Sequence, residues 1–200
     1  MLKKQIVIAL LAITAIASYV YGAVTKYETD MAHSNIGFSM PIMGGLSNVR
    51  GKFTDFKVDI VYDDADVKKS SVNATIKTAS IDTGIERRDA HLRTADFFDA
   101  EKFPEITFKS TRVEKKGKQL LAHGTFTMRG VTKEIILPFT INGVFKDPKT
   151  GKTTLGVTAR TTINRKDYGI NFSRPDNPTF LSDQVDLELS LVTRAASPQP

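Results

Sequence analysis

Ile36-Gly37-Phe38-Ser39-Met40-Pro41-Ile42 sets a large apolar side chain at every second position, with small residues or a proline between them. Successive side chains of a β-strand point to opposite faces, whereas an amphipathic helix repeats its apolar positions every three to four residues. The heptapeptide therefore predicts a strand with one buried face. The same period returns in Val72-Asn73-Ala74-Thr75-Ile76-Lys77-Thr78. Residues 52–61, 105–113, 120–128, 133–142, 155–163 and 185–193 are likewise rich in Val, Ile, Thr and Phe, which brings the expected strands to eight. Gly44-Gly45, Lys116-Gly117-Lys118, Arg129-Gly130, and Asp147-Pro148 with Thr150-Gly151-Lys152 carry turn chemistry between them, so neighbouring strands are expected to form antiparallel hairpins.

The alternation stops between Ile81 and Pro104. There Thr83-Gly84-Ile85-Glu86 has the spacing of a capping box and predicts the start of a short helix. A second irregular stretch, Asn171 to Ser182, holds Pro175, Asn177 and Pro178 and reads as a loop at a rim. Eight antiparallel strands with one helical insertion point to an all-β barrel, because closure removes the sheet edges that invite aggregation. A sandwich is the structural alternative. Strands of about nine residues reach about 30 Å, long enough for an elongated interior.

Residues 1–22 read as a secretory signal: Lys3 and Lys4 open it, and an uncharged, mostly apolar run from Ile6 to Ala17 follows. Cleavage after Gly22 is expected, with Ala17 as the alternative, leaving 23–200 as a single domain. Loss of Lys3 and Lys4 takes the 28 basic residues to 26 against 22 acidic ones, a net charge of +4. Acids and bases interleave from Lys57 to Lys69, which argues against a nucleic-acid surface. The chain has no cysteine, which excludes disulfides, thiolate metal sites, thiol catalysis and a lipidated anchor. No stable membrane insertion is expected once the signal is cut.

An ordered series of motifs runs through the remaining chain: Asp30-Met31-Ala32-His33-Ser34, Gly51-Lys52-Phe53, Ala79-Ser80-Ile81-Asp82-Thr83, Arg88-Asp89-Ala90-His91-Leu92-Arg93, Asp96-Phe97-Phe98-Asp99, Phe103-Pro104-Glu105-Ile106-Thr107-Phe108 and Gly130-Val131-Thr132-Lys133. From about Tyr27 to Thr193 the chain resembles the YceI-like polyisoprenoid-binding family. The resemblance implies an eight-stranded lipocalin-like barrel in the periplasm whose apolar channel binds an isoprenoid or fatty-acid-like lipid, without catalysis and without a cofactor. That family more often carries leucine where Phe126 stands, and the bulkier ring would narrow the channel there.

Composition alone would make the inward apolar residues a close-packed core. The resemblance moves a subset to the channel wall: Phe38, Met40, Phe53, Phe56, Ile76, Leu92, Phe97, Phe108, Phe126, Met128, Phe139, Ile141 and Phe172. Met40, Met43 and Met128 suit such a wall because methionine adapts to irregular apolar ligands. Arg88, Asp89 and His91 are candidates for a lipid head group, since Arg presents a fork of donors to phosphate or carboxylate; the alternative is a network that pins the helix to the barrel end. His33, His91 and His123 would make a zinc site only if the fold brought them together. Asp30, His33 and Ser34 contain the residue types of a hydrolase triad, but His33 and Ser34 are adjacent on an expected strand and so face opposite ways. Three functions remain: a periplasmic lipid carrier or store, a filled barrel serving stress or interaction, and a metal-dependent hydrolase. A homodimer enclosing a longer chain is compatible with the first.

Overall fold

The computed structural model describes residues 24–117 and 119–196; the signal reading of residues 1–22 lies outside the described residues. Its strands are β1 Thr25–Thr29, β2 Asn35–Ile42, β3 Ser47–Phe53, β4 Phe56–Tyr62, β5 Ser71–Lys77, β6 Ile81–Asp82, β7 Glu105–Lys116, β8 Gln119–Met128, β9 Val131–Lys146, β10 Thr153–Asn164 and β11 Gln184–Ala195, with the helix α1 Glu86–Arg93 between β6 and β7. All pairings are antiparallel. The order β1-β4-β5-β7-β8-β9-β10-β11 closes through β1 onto β11. Beyond β1, β11 pairs with β2, β2 with β3, and β3 with β6. The strands therefore behave as eight long ones in an up-and-down barrel, three of them interrupted: β1 with β2, β3 with β4, and β5 with β6.

This corrects the single expected strand over 52–61, which breaks at Thr54-Asp55. Side chains repair the ladder near such breaks. Around the turn Met31–His33, the Thr29 hydroxyl donates to Val58 O and accepts from Val58 N, both at 2.8 Å. The Ser34 hydroxyl does the same for Val192, at 3.1 and 3.0 Å. Each supplies the donor and acceptor that a strand backbone would have offered, as buried peptide groups require.

The helix is present where expected, but the capping box is not. Ile85 occupies the cap position without a side-chain bond, while the Thr83 hydroxyl donates to Asp89 Oδ1 and accepts from Arg88 Nε at 2.7 Å. Asp89 also takes the Thr83 N–H at 2.9 Å. Only Asp89 and Leu92 of α1 are buried, so tertiary contacts hold the helix rather than an apolar stripe of its own.

Two kinds of end follow from the topology. The upper end carries the 43–46 turn, the insertion 83–104, the Arg129-Gly130 turn and the loop 165–183; the lower end carries the turns after β4, β7 and β9. At the upper hairpin Arg129 and Gly130 have φ of 50° and 73°. Gly130 is required twice over, since a Cβ there would stand 2.6 Å from the Phe103 ring as well as in a left-handed backbone. The lower end is packed solid: Tyr27, Val113, Leu120, Leu155 and Thr193 are buried there.

Candidate functional site

Above that plug, the inward faces of the strands enclose a cavity of about 150 Å³ whose wall is almost wholly apolar. Along β11 the wall runs from Val185 through Leu187 and Leu189 to Leu191. The six rises between these seven residues extend roughly 20 Å, so the cavity is a channel along the barrel rather than a spherical hole. Its upper end is covered by Leu92, Phe97 and Phe98 from the insertion and by Ile170 from the loop.

Of the residues expected in the wall, Phe38, Met40, Phe53, Ile76, Leu92, Phe97, Phe108, Phe126, Met128 and Phe139 line the cavity. Phe56 is buried in the core outside its wall, and Ile141 packs half-buried against the core, also outside it. Met43 is exposed at the tip of the β2–β3 hairpin. Phe172 does not face the cavity. Its ring stands on Phe97 (centroids 4.9 Å apart) and on His91 (5.1 Å). The choice of aromatic residues passed over Phe98 and the aliphatic face of β10 and β11, Val157, Ala159, Ile163 and Leu187 among them. The alternation within those two strands was the signal that could have found them.

Arg165 is a wall residue that no sequence pattern announced. It is only 3% exposed and serves as a staple for the loop. Nε donates to Ser182 O at 2.9 Å, Nη1 to Ile170 O at 2.7 Å and Phe172 O at 2.8 Å, and Nη2 to Asp183 Oδ1 at 3.1 Å. Burial draws its pKa down from the ordinary value and Asp183 draws it back up. Arg129 fastens the two covering segments to each other: Nη2 donates to Ala95 O at 2.6 Å and Nη1 to Gly169 O.

Arg88 and Asp89 are engaged with Thr83, and His91 Nε2 pairs with Asp96 at 2.8 Å. The Thr83 bonds hold α1 to the end of β6, and the His91 bond ties it to the segment that follows. The other histidines lie elsewhere. His33 Nδ1 meets Asp30 Oδ2 at 3.0 Å, and His123 Nε2 meets Glu114 Oε1 at 2.8 Å. Among the described residues no group of three metal-ligating side chains converges. Ser34, the third member of the imagined triad, gives its hydroxyl to the Val192 backbone. Among the described residues no helix is long and apolar enough to cross a membrane.

A family model described as the YceI-like domain matches residues 27–193. The chain belongs to the YceI-like family. A UPF0312 protein of Photorhabdus laumondii is 37% identical over 192 residues, covering 96% of this chain and 97% of that protein. A UPF0312 protein of Shewanella baltica is 38% identical over 172 residues, covering 84% and 88%. The crystal structure of a Campylobacter jejuni YceI protein superposes with a TM-score of 0.68 at 34% identity, over 76% of this chain and 88% of that one. Two more distant structures share the fold: Burkholderia cenocepacia BcnA at a TM-score of 0.72 and 22% identity, covering 82% and 98%, and a polyisoprenoid-binding domain of Saccharophagus degradans at 0.60 and 15%, covering 87% and 100%. The expected lipocalin-like barrel is thus the YceI-like barrel.

Proposed function

We propose that this YceI-like barrel holds a long apolar lipid, a polyisoprenoid or fatty amphiphile, in its channel and stores or transports it in the periplasm without altering it. The observation that carries the reading is the closed barrel with an almost wholly apolar, elongated cavity. The family membership and the polyisoprenoid-binding domain of Saccharophagus degradans support the choice of ligand. The positively charged start and apolar run of residues 1–22 support export.

Burial supplies the affinity. Each methylene removed from water contributes about 0.8 kcal/mol, so ten give roughly 8 kcal/mol gross, from which the several kcal/mol of association cost must be subtracted. Tight binding therefore requires a long chain. A cavity of about 150 Å³ suits a guest the size of benzene, so a long chain requires the wall to yield. The lower end is solid core, which leaves the upper end as the way in, between the insertion 83–104 and the loop 165–183. A charged head is least costly at that rim, in contact with water.

Native mass spectrometry of the protein purified from the periplasm, with lipid extraction from the same sample, tests the reading. A mass above that of the bare chain, with a matching extracted lipid, is expected. A bare mass under gentle conditions with no extractable lipid would overturn it. The close-packed lower half favours one rival, a filled barrel acting as an interaction module, and a co-purifying protein in place of lipid would be its mark.

A further inference from the structure

The two ends of the barrel differ in the turns they expose. At the lower end the turn after β4 carries five charged residues between Asp63 and Lys69, that after β7 is Lys116-Gly117-Lys118, and that after β9 carries three between Asp147 and Lys152. The β2–β3 hairpin at the upper end is uncharged. From Met31 to Val49 the chain has no Asp, Glu, Lys or Arg. At the tip Met43, Gly44 and Gly45 have φ of 54°, 67° and 95°, and the turn leaves Met43 exposed and Leu46 87% exposed. Ile85 is exposed on the neighbouring edge, two residues beyond Thr83, whose Cγ2 would stand 2.8 Å from a Cβ at Gly51 of β3. The tip is tied to the loop that covers the mouth: the Met43 N–H donates to Phe180 O at 2.8 Å and the Ser182 N–H to Pro41 O at 3.0 Å.

Positive charge stands behind this apolar tip. In β3, Val49 and Phe53 turn into the cavity, so Arg50 and Lys52 point outward. Arg87 is exposed in the first turn of α1. None of the three has an ion-pair or hydrogen-bond partner among the described residues. Against them stand Glu86 and Asp82, whose carboxylate takes the Gly84 N–H at 2.8 Å, so the edge keeps a positive balance. Arg50 lies four residues behind Leu46, a rise of about 13 Å. An apolar surface on a bilayer sits about 5–10 Å into the boundary of head groups and acyl chains, and an arginine extending its stem toward the tip then reaches the phosphates. We propose that the β2–β3 tip docks reversibly on a phospholipid bilayer bearing anionic head groups, with Leu46 and Met43 at the acyl boundary and Arg50 at the phosphates. The mouth of the barrel is thereby set against the membrane. Burial of the tip and attraction of the cations to the surface both favour this placement. The docking surface stands on the tip's own chemistry; its use, passing lipid between bilayer and channel without crossing water, rests on the lipid-binding reading.

Co-sedimentation tests it, with protein purified from the periplasm and vesicles of phosphatidylcholine with or without one quarter phosphatidylglycerol. Residues 1–22 are the same in every variant, so each effect is read as a ratio to the unmodified protein. The anionic vesicles are expected to bind about 5-fold tighter. Leu46→Ser should weaken binding to both about 5- to 20-fold, and Arg50→Gln should remove the preference for the anionic ones. Phe145→Ser, which removes an exposed aromatic of the lower end, should change neither. Unaltered binding by Leu46→Ser, a preference retained in Arg50→Gln, an equal loss in Phe145→Ser, or no binding to either vesicle overturns the proposal. So does a dimer in native mass spectra that Leu46→Ser splits, which would give the tip to a second copy of the chain. Lipid extraction from the same protein separates the two readings. Extractable lipid without vesicle binding overturns docking alone, and Leu46-dependent vesicle binding by a barrel that carries no lipid overturns the lipid-binding reading alone.

Discussion

The rings of Phe97 and Phe172 meet with centroids 4.9 Å apart, and that contact joins the two segments that cover the upper end of the barrel. Each segment is anchored separately. Arg93 Nε and Nη2 donate to Ala79 O and Ile81 O at 2.8 and 2.9 Å on one side, and Arg165 gathers the loop on the other. His91 and Arg129 reinforce the joint. If a lipid passes here, the aromatic joint is the part that opens, since the anchors on either side tie each segment to its own stretch of strand or loop.

Phe172→Ala removes the aromatic contact of the joint, leaving the Arg129 bonds, without entering the cavity. An aromatic pair contributes about 0.5–1.5 kcal/mol, so release of a fluorescent fatty acid, followed by stopped-flow displacement, should quicken about 2- to 10-fold. Thermal stability should change little. Release at the rate of the unmodified protein would place the gate elsewhere.

Phe126 faces the cavity and sets its edge against Tyr168, with centroids 5.4 Å apart and an interplanar angle of 86°. Phe126→Leu gives up that contact and part of the buried ring, at a cost of about 1–2 kcal/mol in urea unfolding. It also widens the channel, so competition between methyl-branched and straight chains of equal length should shift toward the branched one. A variant with unaltered selectivity would show that this ring does not set the bore.

Asp30 ties the first strand to the last. Arg194 and then His33 hold its carboxyl below the usual carboxylate range, with Arg194 Nη2 donating at 2.7 Å. A depressed carboxylate contributes stability above the unfolded-state value near ~3.9 and loses it as pH falls through the folded-state value. The stability difference between the unmodified protein and Asp30→Asn should therefore stay constant from neutral pH down to about 5 and shrink as pH falls below about 4. Chemical unfolding across that range measures it; a difference independent of pH would mean the ion pair adds nothing.

Much of the barrel was legible one residue at a time. The direction of a side chain on a strand depends only on its place in the alternation, so Ile36, Phe38 and Met40 declared their strand, and the eight expected segments all fall within the eight long strands. The breaks were not legible. Thr29 and Ser34 repair the ladder through Val58 and Val192, partners 29 and 158 residues away, and no local pattern marks a side chain that substitutes for a backbone. The capping-box spacing at Thr83 misled for a similar reason, because Asp89 takes the proton of that hydroxyl and Arg88 its lone pair once the helix docks.

Local alternation was enough to establish a β-protein with one apolar face per strand, because strand geometry gives side-chain direction without reference to the rest of the chain. Whether those faces would meet as solid core or stand apart around a channel was decided by closure. Residues 131–141 and 185–191 carry the same kind of pattern throughout, yet Ile135 and Leu137 line the cavity while Ile141, paired with the wall residue Val157, lies outside its wall. Arg165 acquires its meaning in the same way. It binds carbonyls brought together by the loop, a property of the folded barrel alone.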